Sequence, residues 1–332
     1  MNEPERVVLV TDHPWPSVDA EVEALAQSGA RPLFAPTGEE GELIELVGDA
    51  EGILTCFARV TDRVVEAGSR LQVIGRYGVG VDNIAVGEAT KRDILVTNVP
   101  SYCEHEVSEH VLALLLALAR RIPTFDDGVR AGDWSLARGQ PIHRVAGSTL
   151  GIVGFGHIGR MLASKARGLG LRIIVHQPRA SDEELRAAGV EPLSLAELAA
   201  HSDFVSLHVP LADDTKHLVD REFLRAMKPS AFLVNASRGA VVDRDALLEA
   251  LQNGWIAGAG LDVFEPELLP PADPLLALPN LIATPHVAYY SEESLVDLGR
   301  LAAENVAAVL GGQRPAAVVN PAVLETERWR HL

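Results

Sequence analysis

The chain has 332 residues, of which 47% are hydrophobic, and its net charge is -17 because 46 acidic side chains outnumber 29 basic ones. This length predicts two domains, and the acidic balance argues against a nucleic-acid partner, since phosphate binding needs clustered Lys and Arg. The longest apolar run, 111–119, is too short to span a membrane, and the first residues lack a secretory signal. We therefore expect a cytoplasmic protein with no membrane segment. Cys56 and Cys103 predict buried thiols, and no metal site is expected.

Short apolar runs alternate with amphipathic stretches through the first hundred residues. Runs such as 7–10 and 52–55 have the length and composition of buried strands, and the stretches between them have helical spacing. This alternation predicts βα units and a parallel sheet, complete before residue 100. Residues 98–101 then break the pattern, and Ser101 is expected to cap a long helix that ends near Arg121.

A second alternating series begins with a glycine-rich turn at residues 154–159, which follows the apolar run 149–153 and opens a helix-like stretch. Three glycines at this spacing, between a strand and a helix, bring backbone N–H groups against a pyrophosphate at the helix N-terminus. The turn therefore predicts a bound dinucleotide. Its predicted contact residues are Gly154, Gly156, His157, Ile158 and Gly159.

The remaining runs of the second series suit a six-stranded, doubly wound sheet, and a last helix is predicted over 292–310. The fold class is therefore α/β, with two Rossmann-like or flavodoxin-like parallel-sheet domains and a ligand cleft between them. We place the substrate domain at 1–100 with 291–332 and the dinucleotide-binding domain at 101–290. Residues 125–144 have no clear periodicity, and we interpret them as an irregular arm that reaches a partner subunit.

The choice between NAD and NADP depends on two residues. An NAD-binding domain normally carries an acidic residue about 20 positions after the glycines, where it accepts from the ribose 2′-hydroxyl. Gln177 holds that position here, and Arg179 follows it with a charge suited to a 2′-phosphate. The pattern slightly favours NADP and leaves NAD open, because Gln177 can also bond the ribose of NAD.

Three further stretches contain residue types that carbonyl reduction needs. They are 235–239 with a cation, 261–267 with a carboxylate and 284–286 with an imidazole, and each follows a strand-like run. Because parallel strands end at the same edge of a sheet, these groups are expected to converge beside the pyrophosphate. The other histidines, among them His110 and His208, show no such convergence and are interpreted as structural.

These motifs together resemble the D-2-hydroxyacid dehydrogenases, and the resemblance covers nearly the whole chain. The residues that carry it are 76–83, the glycine-rich turn, 235–243, 260–264 and 284–286. Residues 284–291, with 102–103 before the long helix, look most like the branch that contains the C-terminal-binding proteins. The resemblance also implies a homodimer formed through the dinucleotide-binding domain, with the long helix and the arm at the interface.

The resemblance implies a catalytic triad of Arg238, Glu267 and His286. In this family, such a histidine gives its proton to the substrate carbonyl, the glutamate holds the imidazole, and the arginine binds and polarises the substrate. Glu265 is the competitor for the role of Glu267, but it lies two residues outside the family's register. Other residues carried over are Pro210, Thr215, Ala236 and Asp262 for the cofactor, and Phe57, Tyr77, Gly78, Val79, Gly80 and Arg238 for the substrate.

The resemblance implies an NAD(P)-dependent oxidoreductase that interconverts a small 2-oxo acid and its D-2-hydroxy acid. The alternative is a dinucleotide-sensing interaction protein of the C-terminal-binding type, which an intact triad does not by itself exclude. Formate oxidation is disfavoured by Glu267, where that relative has Gln, and phosphite oxidation by the absence of a Lys before Gly80. Phosphoglycerate, glyoxylate, hydroxypyruvate and branched 2-oxo acids remain open as substrates.

Overall fold

A computed structural model of the chain describes residues 6–332. They form two compact units: the described residues up to Tyr102 together with Ser291–Leu332 form unit 1, and Cys103–Tyr290 form unit 2. The chain therefore leaves unit 1, completes unit 2 and then returns. No helix within residues 6–332 combines the length and the hydropathy that a membrane span requires.

Within residues 6–332, twelve strands build the two sheets. In chain order they are β1 (Arg6–Val10), β2 (Ala30–Phe34), β3 (Gly52–Thr55), β4 (Val73–Arg76), β5 (Leu95–Thr97), β6 (Thr149–Val153), β7 (Arg172–His176), β8 (Glu191–Pro192), β9 (Phe204–Leu207), β10 (Phe232–Asn235), β11 (Gly258–Leu261) and β12 (Leu281–Ala283).

The same residues also form twelve α-helices. In chain order they are α1 (Asp19–Ala26), α2 (Glu40–Leu46), α3 (Asp62–Ala67), α4 (Val86–Lys91), α5 (Glu104–Ala119), α6 (Ile122–Arg130), α7 (His157–Gly168), α8 (Asp182–Ala187), α9 (Leu195–His201), α10 (Arg221–Ala226), α11 (Arg244–Gln252) and α12 (Glu292–Leu310).

Unit 1 has a five-stranded parallel sheet with the order β2-β1-β3-β4-β5. Strands β3, β4 and β5 are fully buried, and α12 returns along the chain to pack against β3 and β4. Gly75 permits this approach, since a Cβ atom there would lie 2.6 Å from Val306 of α12. The strand order reverses at β1 and β3, which is where open α/β sheets bind ligands.

Unit 2 has a seven-stranded parallel sheet with the order β12-β11-β10-β9-β6-β7-β8. The predicted fold class of two parallel α/β sheets is confirmed, whereas the predicted six strands were one too few. The extra strand, β8, has only two residues and pairs with β7 at the edge of the sheet. Two residues cannot show a periodicity, so sequence pattern could not identify this strand.

The structure corrects two predictions around the long helix α5. Its N-cap is Cys103 and not Ser101, and the cap makes no side-chain hydrogen bond. The segment expected to be irregular, 125–144, begins inside the nine-residue helix α6, which has a proline at its first turn, where the missing N–H costs nothing. Beyond α6 the chain exposes 80% of Trp134 and 76% of Leu136, two large apolar side chains.

Candidate active site

The glycine-rich loop of unit 2 joins β6 to α7, where the strand order of the sheet reverses. Gly154 has a φ of +91°, and a Cβ atom there would lie 2.5 Å from the carbonyl oxygen of His208. A Cβ atom at Gly159 would lie 2.5 Å from the carbonyl oxygen of Gly154. The packing of the protein itself therefore requires both glycines.

Gly156 differs from these two glycines, because a Cβ atom there would meet no atom of residues 6–332 within 4 Å. Gly156 is the N-cap of α7 and has no side chain that accepts from the first-turn N–H groups, those of His157 and Ile158 among them. The start of this helix combines open space, backbone donors and the positive end of the helix dipole. These features fit the pyrophosphate of a dinucleotide.

The turn after β7 contains the two residues that bear on the choice of cofactor. Strand β7 ends at His176, and Gln177 follows it without an acidic residue at this point. The guanidinium Nη2 of Arg179 lies 3.6 Å from Oδ2 of Asp214, and both side chains are well exposed. An exposed pair at this distance is weak, so Arg179 can exchange Asp214 for another anion.

Two other predicted cofactor residues lie in one tight turn after β9. The hydroxyl Oγ1 of Thr215 donates to the carbonyl oxygen of Pro210 at 2.6 Å and accepts from the N–H of Ala212 at 2.8 Å. Ala236 directly follows the end of β10. All three predicted residues therefore lie at the carboxyl edge of the sheet, the same edge as the glycine-rich loop.

The loop after β10 carries Arg238 and is held by Asn235. The amide Nδ2 of Asn235 donates to the carbonyl oxygen of Arg238 at 2.9 Å, and its Oδ1 accepts from the N–H of Ser237 at 3.0 Å. A Cβ atom on Gly239 would overlap the carbonyl group of Phe264. The loop that carries Arg238 is thus packed directly against the loop that leads to Glu267.

Glu267 and His286 form a close pair, with 2.6 Å between Oε1 of the carboxylate and Nδ1 of the ring. The competing carboxylate, Glu265, instead lies 3.2 Å from Nε2 of His217. Each of the two glutamates is therefore paired with a different histidine. The edge of the Tyr289 ring faces the His286 ring, with 6.2 Å between ring centroids.

His286 lies in a turn that is bonded to Asp262. The φ of His286 is +56°, a left-handed conformation that is uncommon outside glycine. Asp262 is fully buried, and its carboxylate accepts from the N–H groups of Val287 at 3.0 Å and Ala288 at 2.9 Å. Asp262 was predicted to contact the cofactor, but its carboxylate is enclosed by this turn.

His110 was interpreted as an isolated structural histidine, but the structure places it in the same network. Its ring Nε2 lies 3.0 Å from the hydroxyl of Thr284, which donates to Oδ1 of Asp262 at 2.6 Å. Sequence reasoning missed this contact because His110 and Thr284 are 174 residues apart. His208, in contrast, lies beside the glycine-rich loop, and burial lowers its pKa to about 4.

The predicted carboxylate site of unit 1 is the turn after β4. The φ of Gly78 is +129°, and its carbonyl oxygen accepts from the N–H of Val99 at 2.9 Å. The amide Nδ2 of Asn98 donates to the carbonyl oxygen of Val79 at 2.8 Å. The N–H groups of Val79 and Gly80 find no hydrogen-bond partner within residues 6–332. Two adjacent free backbone donors suit a carboxylate.

Tyr77 and Phe57 differ in what they offer to this site. The Tyr77 ring is fully buried with its edge against Trp15, at 4.9 Å between ring centroids, and its N–H donates to Thr55. The Tyr77 ring is therefore enclosed by unit 1, and the role of this residue at the substrate stays a prediction. Phe57 is 45% exposed, and its N–H donates to the carboxylate of Asp12 at 2.6 Å. Phe57 is therefore held in place with its ring accessible.

The two cysteines are buried, as predicted. Burial raises the pKa of Cys56 to about 12, so its thiol stays protonated and unreactive at neutral pH. Neither thiol is a candidate nucleophile.

Comparisons with known proteins agree with this arrangement. The family described as D-isomer specific 2-hydroxyacid dehydrogenase, NAD binding domain, matches residues 112–288. A glyoxylate reductase of Korarchaeum cryptofilum is 44% identical over 287 residues, which are 85% of this chain and 86% of that protein.

Two solved structures share the fold over nearly their whole length. A D-lactate dehydrogenase of Aquifex aeolicus, complexed with NAD and lactic acid, has a TM-score of 0.86 at 30% identity, covering 95% of this chain and 99% of that one. An NADPH-dependent glyoxylate/hydroxypyruvate reductase of Sinorhizobium meliloti, in complex with NADP and malonate, has a TM-score of 0.82 at 30% identity, covering 95% and 97%.

A parallel sheet of this order, with a glycine-rich loop at its reversal point, defines a dinucleotide-binding protein. The chain belongs to the D-isomer specific 2-hydroxyacid dehydrogenase family. It is therefore an NAD(P)-dependent oxidoreductase that interconverts 2-oxo and 2-hydroxy acids. The finer assignment to the C-terminal-binding-protein branch stays a prediction.

Proposed function

We propose that this protein reduces glyoxylate or another 2-oxo acid with a short side chain to the corresponding 2-hydroxy acid, of D configuration where the product is chiral. The observation that carries the proposal is the 2.6 Å pair of Glu267 and His286 at the carboxyl edge of the dinucleotide-binding sheet. The similarity to proteins named glyoxylate reductase supports this substrate class.

His286 acts as the acid in this proposal. Its Nδ1 carries a proton and donates to Glu267, which leaves Nε2 to give a proton to the carbonyl oxygen of the substrate. Glu267 fixes the orientation of the ring and stabilises the imidazolium that precedes the transfer. The nicotinamide, when bound, supplies the hydride for the carbonyl carbon, so that one hydride and one proton complete the reduction.

Each unit offers its own groups to the substrate, Arg238 in unit 2 and the turn after β4 in unit 1. The guanidinium group of Arg238 polarises the carbonyl oxygen and binds the carboxylate with its planar fork of donors. The N–H groups of Val79 and Gly80 donate to the substrate carboxylate, and the hydrogen bond from Asn98 to the carbonyl oxygen of Val79 holds that turn. Phe57 contacts the side chain of the substrate.

NADP is the favoured cofactor in this proposal, and NAD remains open. Gln177 removes the negative charge that would repel a 2′-phosphate, and Arg179 gives up its exposed partner, Asp214, to bind it. Dissociation constants for NADPH and NADH separate the two. We expect Arg179→Ala to weaken NADPH at least about tenfold and to leave NADH within twofold.

We also propose that the protein is a homodimer and that it is located in the cytoplasm. Trp134 and Leu136 support it, because large apolar side chains with most of their surface exposed are typical of a protein interface. Light scattering on purified protein gives the mass directly. We expect Trp134→Asp with Leu136→Asp to shift a dimer towards monomer.

The activity assay follows the absorbance of NADPH and NADH against a panel of 2-oxo acids. We expect His286→Asn to lower kcat by about 10²–10⁴-fold with the dissociation constant of the reduced cofactor unchanged. His217→Asn is the matched control, because it breaks the other His–Glu pair of unit 2. Cofactor binding without turnover of any 2-oxo acid would instead favour the dinucleotide-sensing alternative.

A further inference from the structure

Three consecutive backbone N–H groups at His286 are all bonded to one residue. The N–H of His286 donates to the carbonyl oxygen of Asp262 at 2.8 Å, and the N–H groups of Val287 and Ala288 donate to the two oxygens of its carboxylate. Because His286 has a left-handed φ, these bonds must hold the turn against its backbone preference. The position of the His286 ring therefore depends on Asp262.

The Asp262 carboxylate is fixed in turn by two side chains from different elements. The hydroxyl of Thr284 donates to Oδ1 at 2.6 Å, and Nε2 of His110, on α5, lies 3.0 Å from that hydroxyl and 3.6 Å from Oδ1. The Asp262 side chain is fully buried, so it depends on these donors and the turn in place of water.

The single proton of the Thr284 hydroxyl determines whether Nε2 of His110 is protonated. A hydroxyl has one proton, and Thr284 gives its proton to Asp262. Thr284 can therefore only accept at its contact with His110, so the ring nitrogen Nε2 of His110 must carry a proton. Donors therefore converge on the Asp262 carboxylate from two sides: the hydroxyl of Thr284, itself bonded by His110, and the N–H groups of the His286 turn.

We propose that His110 is a positioning residue for catalysis: its Nε2–H, acting through Thr284 and Asp262, fixes the turn that presents His286 to Glu267. The proposal rests on the proposed role of His286 as the acid. A simple packing role for His110 would need its volume but not its proton. The two explanations therefore differ in how they respond to a side chain that keeps the donor.

Two variants of His110 distinguish the loss of its hydrogen-bond donor from the loss of its side-chain volume. His110→Leu keeps much of the volume and loses the N–H, whereas His110→Gln returns an N–H donor near the position of Nε2. Thr284→Val and Thr284→Ser form the same pair of changes at the hydroxyl. His105→Leu, an exposed position on α5, is the matched control.

We expect His110→Leu and Thr284→Val each to lower kcat about 10- to 100-fold, as displacement of a catalytic group by about 1 Å does. The dissociation constant of reduced cofactor stays within twofold, and His110→Gln and Thr284→Ser recover most of kcat. The double variant His110→Leu with Thr284→Val is no worse than Thr284→Val alone, because the two residues act in series. His105→Leu keeps wild-type kcat.

Two-bond 1H–15N spectra of histidine-labelled protein give a readout that needs no activity. The His110 signal, identified by its loss in His110→Gln, is expected to report a protonated Nε2. The proposed role of His110 would be overturned by any of three results: an unprotonated Nε2, full activity of His110→Leu, or additive losses of kcat in the double variant. If His286→Asn kept its activity, the proposed function would fail instead, and the spectra would still decide the state of His110.

Discussion

Replacing Gly156 with alanine tests whether this glycine is needed to bind the cofactor and not to maintain the fold. An alanine Cβ at this position would meet no atom of the described part of the chain within 4 Å, and the φ of -78° is ordinary for alanine. The open space is the place that the proposed function assigns to the pyrophosphate. Gly154→Ala is the matched control, because it changes the same loop where the protein itself occupies the space.

The magnitudes follow from the two environments. At Gly156, alanine loses about 0.5–1 kcal/mol as an N-cap and gains about 0.4–1 kcal/mol from the unfolded chain, so the two effects nearly cancel and the free energy of unfolding changes by less than about 0.6 kcal/mol. Losing one hydrogen bond to a charged pyrophosphate costs about 1.5–3 kcal/mol, or roughly 10- to 150-fold in affinity. Gly154→Ala costs about 1–3 kcal/mol of backbone strain, in addition to its overlap with His208.

The assay combines thermal unfolding without cofactor and titration with NADPH and NADH. We expect Gly156→Ala to melt within about 2 °C of wild type and to bind either cofactor at least tenfold more weakly. Gly154→Ala should melt several degrees lower. Wild-type cofactor affinity in Gly156→Ala would refute the assignment of this space to the pyrophosphate.

Three further predictions test the site and the fold. Glu267→Gln should lower kcat about 10²–10⁴-fold without weakening cofactor binding, measured by steady-state kinetics, because the amide cannot stabilise the His286 imidazolium. Gly239→Ala should cost at least about 3 kcal/mol in urea unfolding, since its Cβ atom overlaps the backbone of Phe264. The pKa of His208 is lowered to about 4, so the folded chain binds fewer protons than the unfolded chain between pH 4 and 6.5. The free energy of unfolding should therefore fall by up to about 1.4 kcal/mol per pH unit as the pH drops through this range, and His208→Gln should remove that slope.

Sequence pattern was sufficient for elements whose signal is local and repeated. The apolar runs identified both parallel sheets, and the alternating charge and aliphatic spacing of the last helix gave Glu292–Leu310. The same reasoning failed where a single local feature decides the outcome. At α5, Ser101 has the usual residue type of an N-cap, but the helix begins after Cys103, two residues later.

Sequence pattern also predicted which residues of the candidate site follow strand ends, but it did not predict the directions of their side chains. Glu267 and His286 follow strand ends, so the edge of the sheet brings their chain positions together before any contact is known. Tyr77 also lies in a motif, but motif position does not give the direction of a side chain, and its ring is in the core of unit 1. His110 lies in no catalytic motif, and only the packing of α5 brings it to Thr284.

Backbone hydrogen bonds distinguish the turns that are suited to bind a ligand from the turn that holds a side chain. After β4, the carbonyl groups of Gly78 and Val79 are bonded within the protein, whereas the N–H groups of Val79 and Gly80 find no acceptor in the described residues. At His286 the opposite holds, because the three successive N–H groups are taken by Asp262. Because no acceptor in the described residues takes the N–H groups of Val79 and Gly80, both are available to the carboxylate of the proposed substrate. Paired donors at a left-handed residue indicate a side chain that must not move, which is what a proton donor requires.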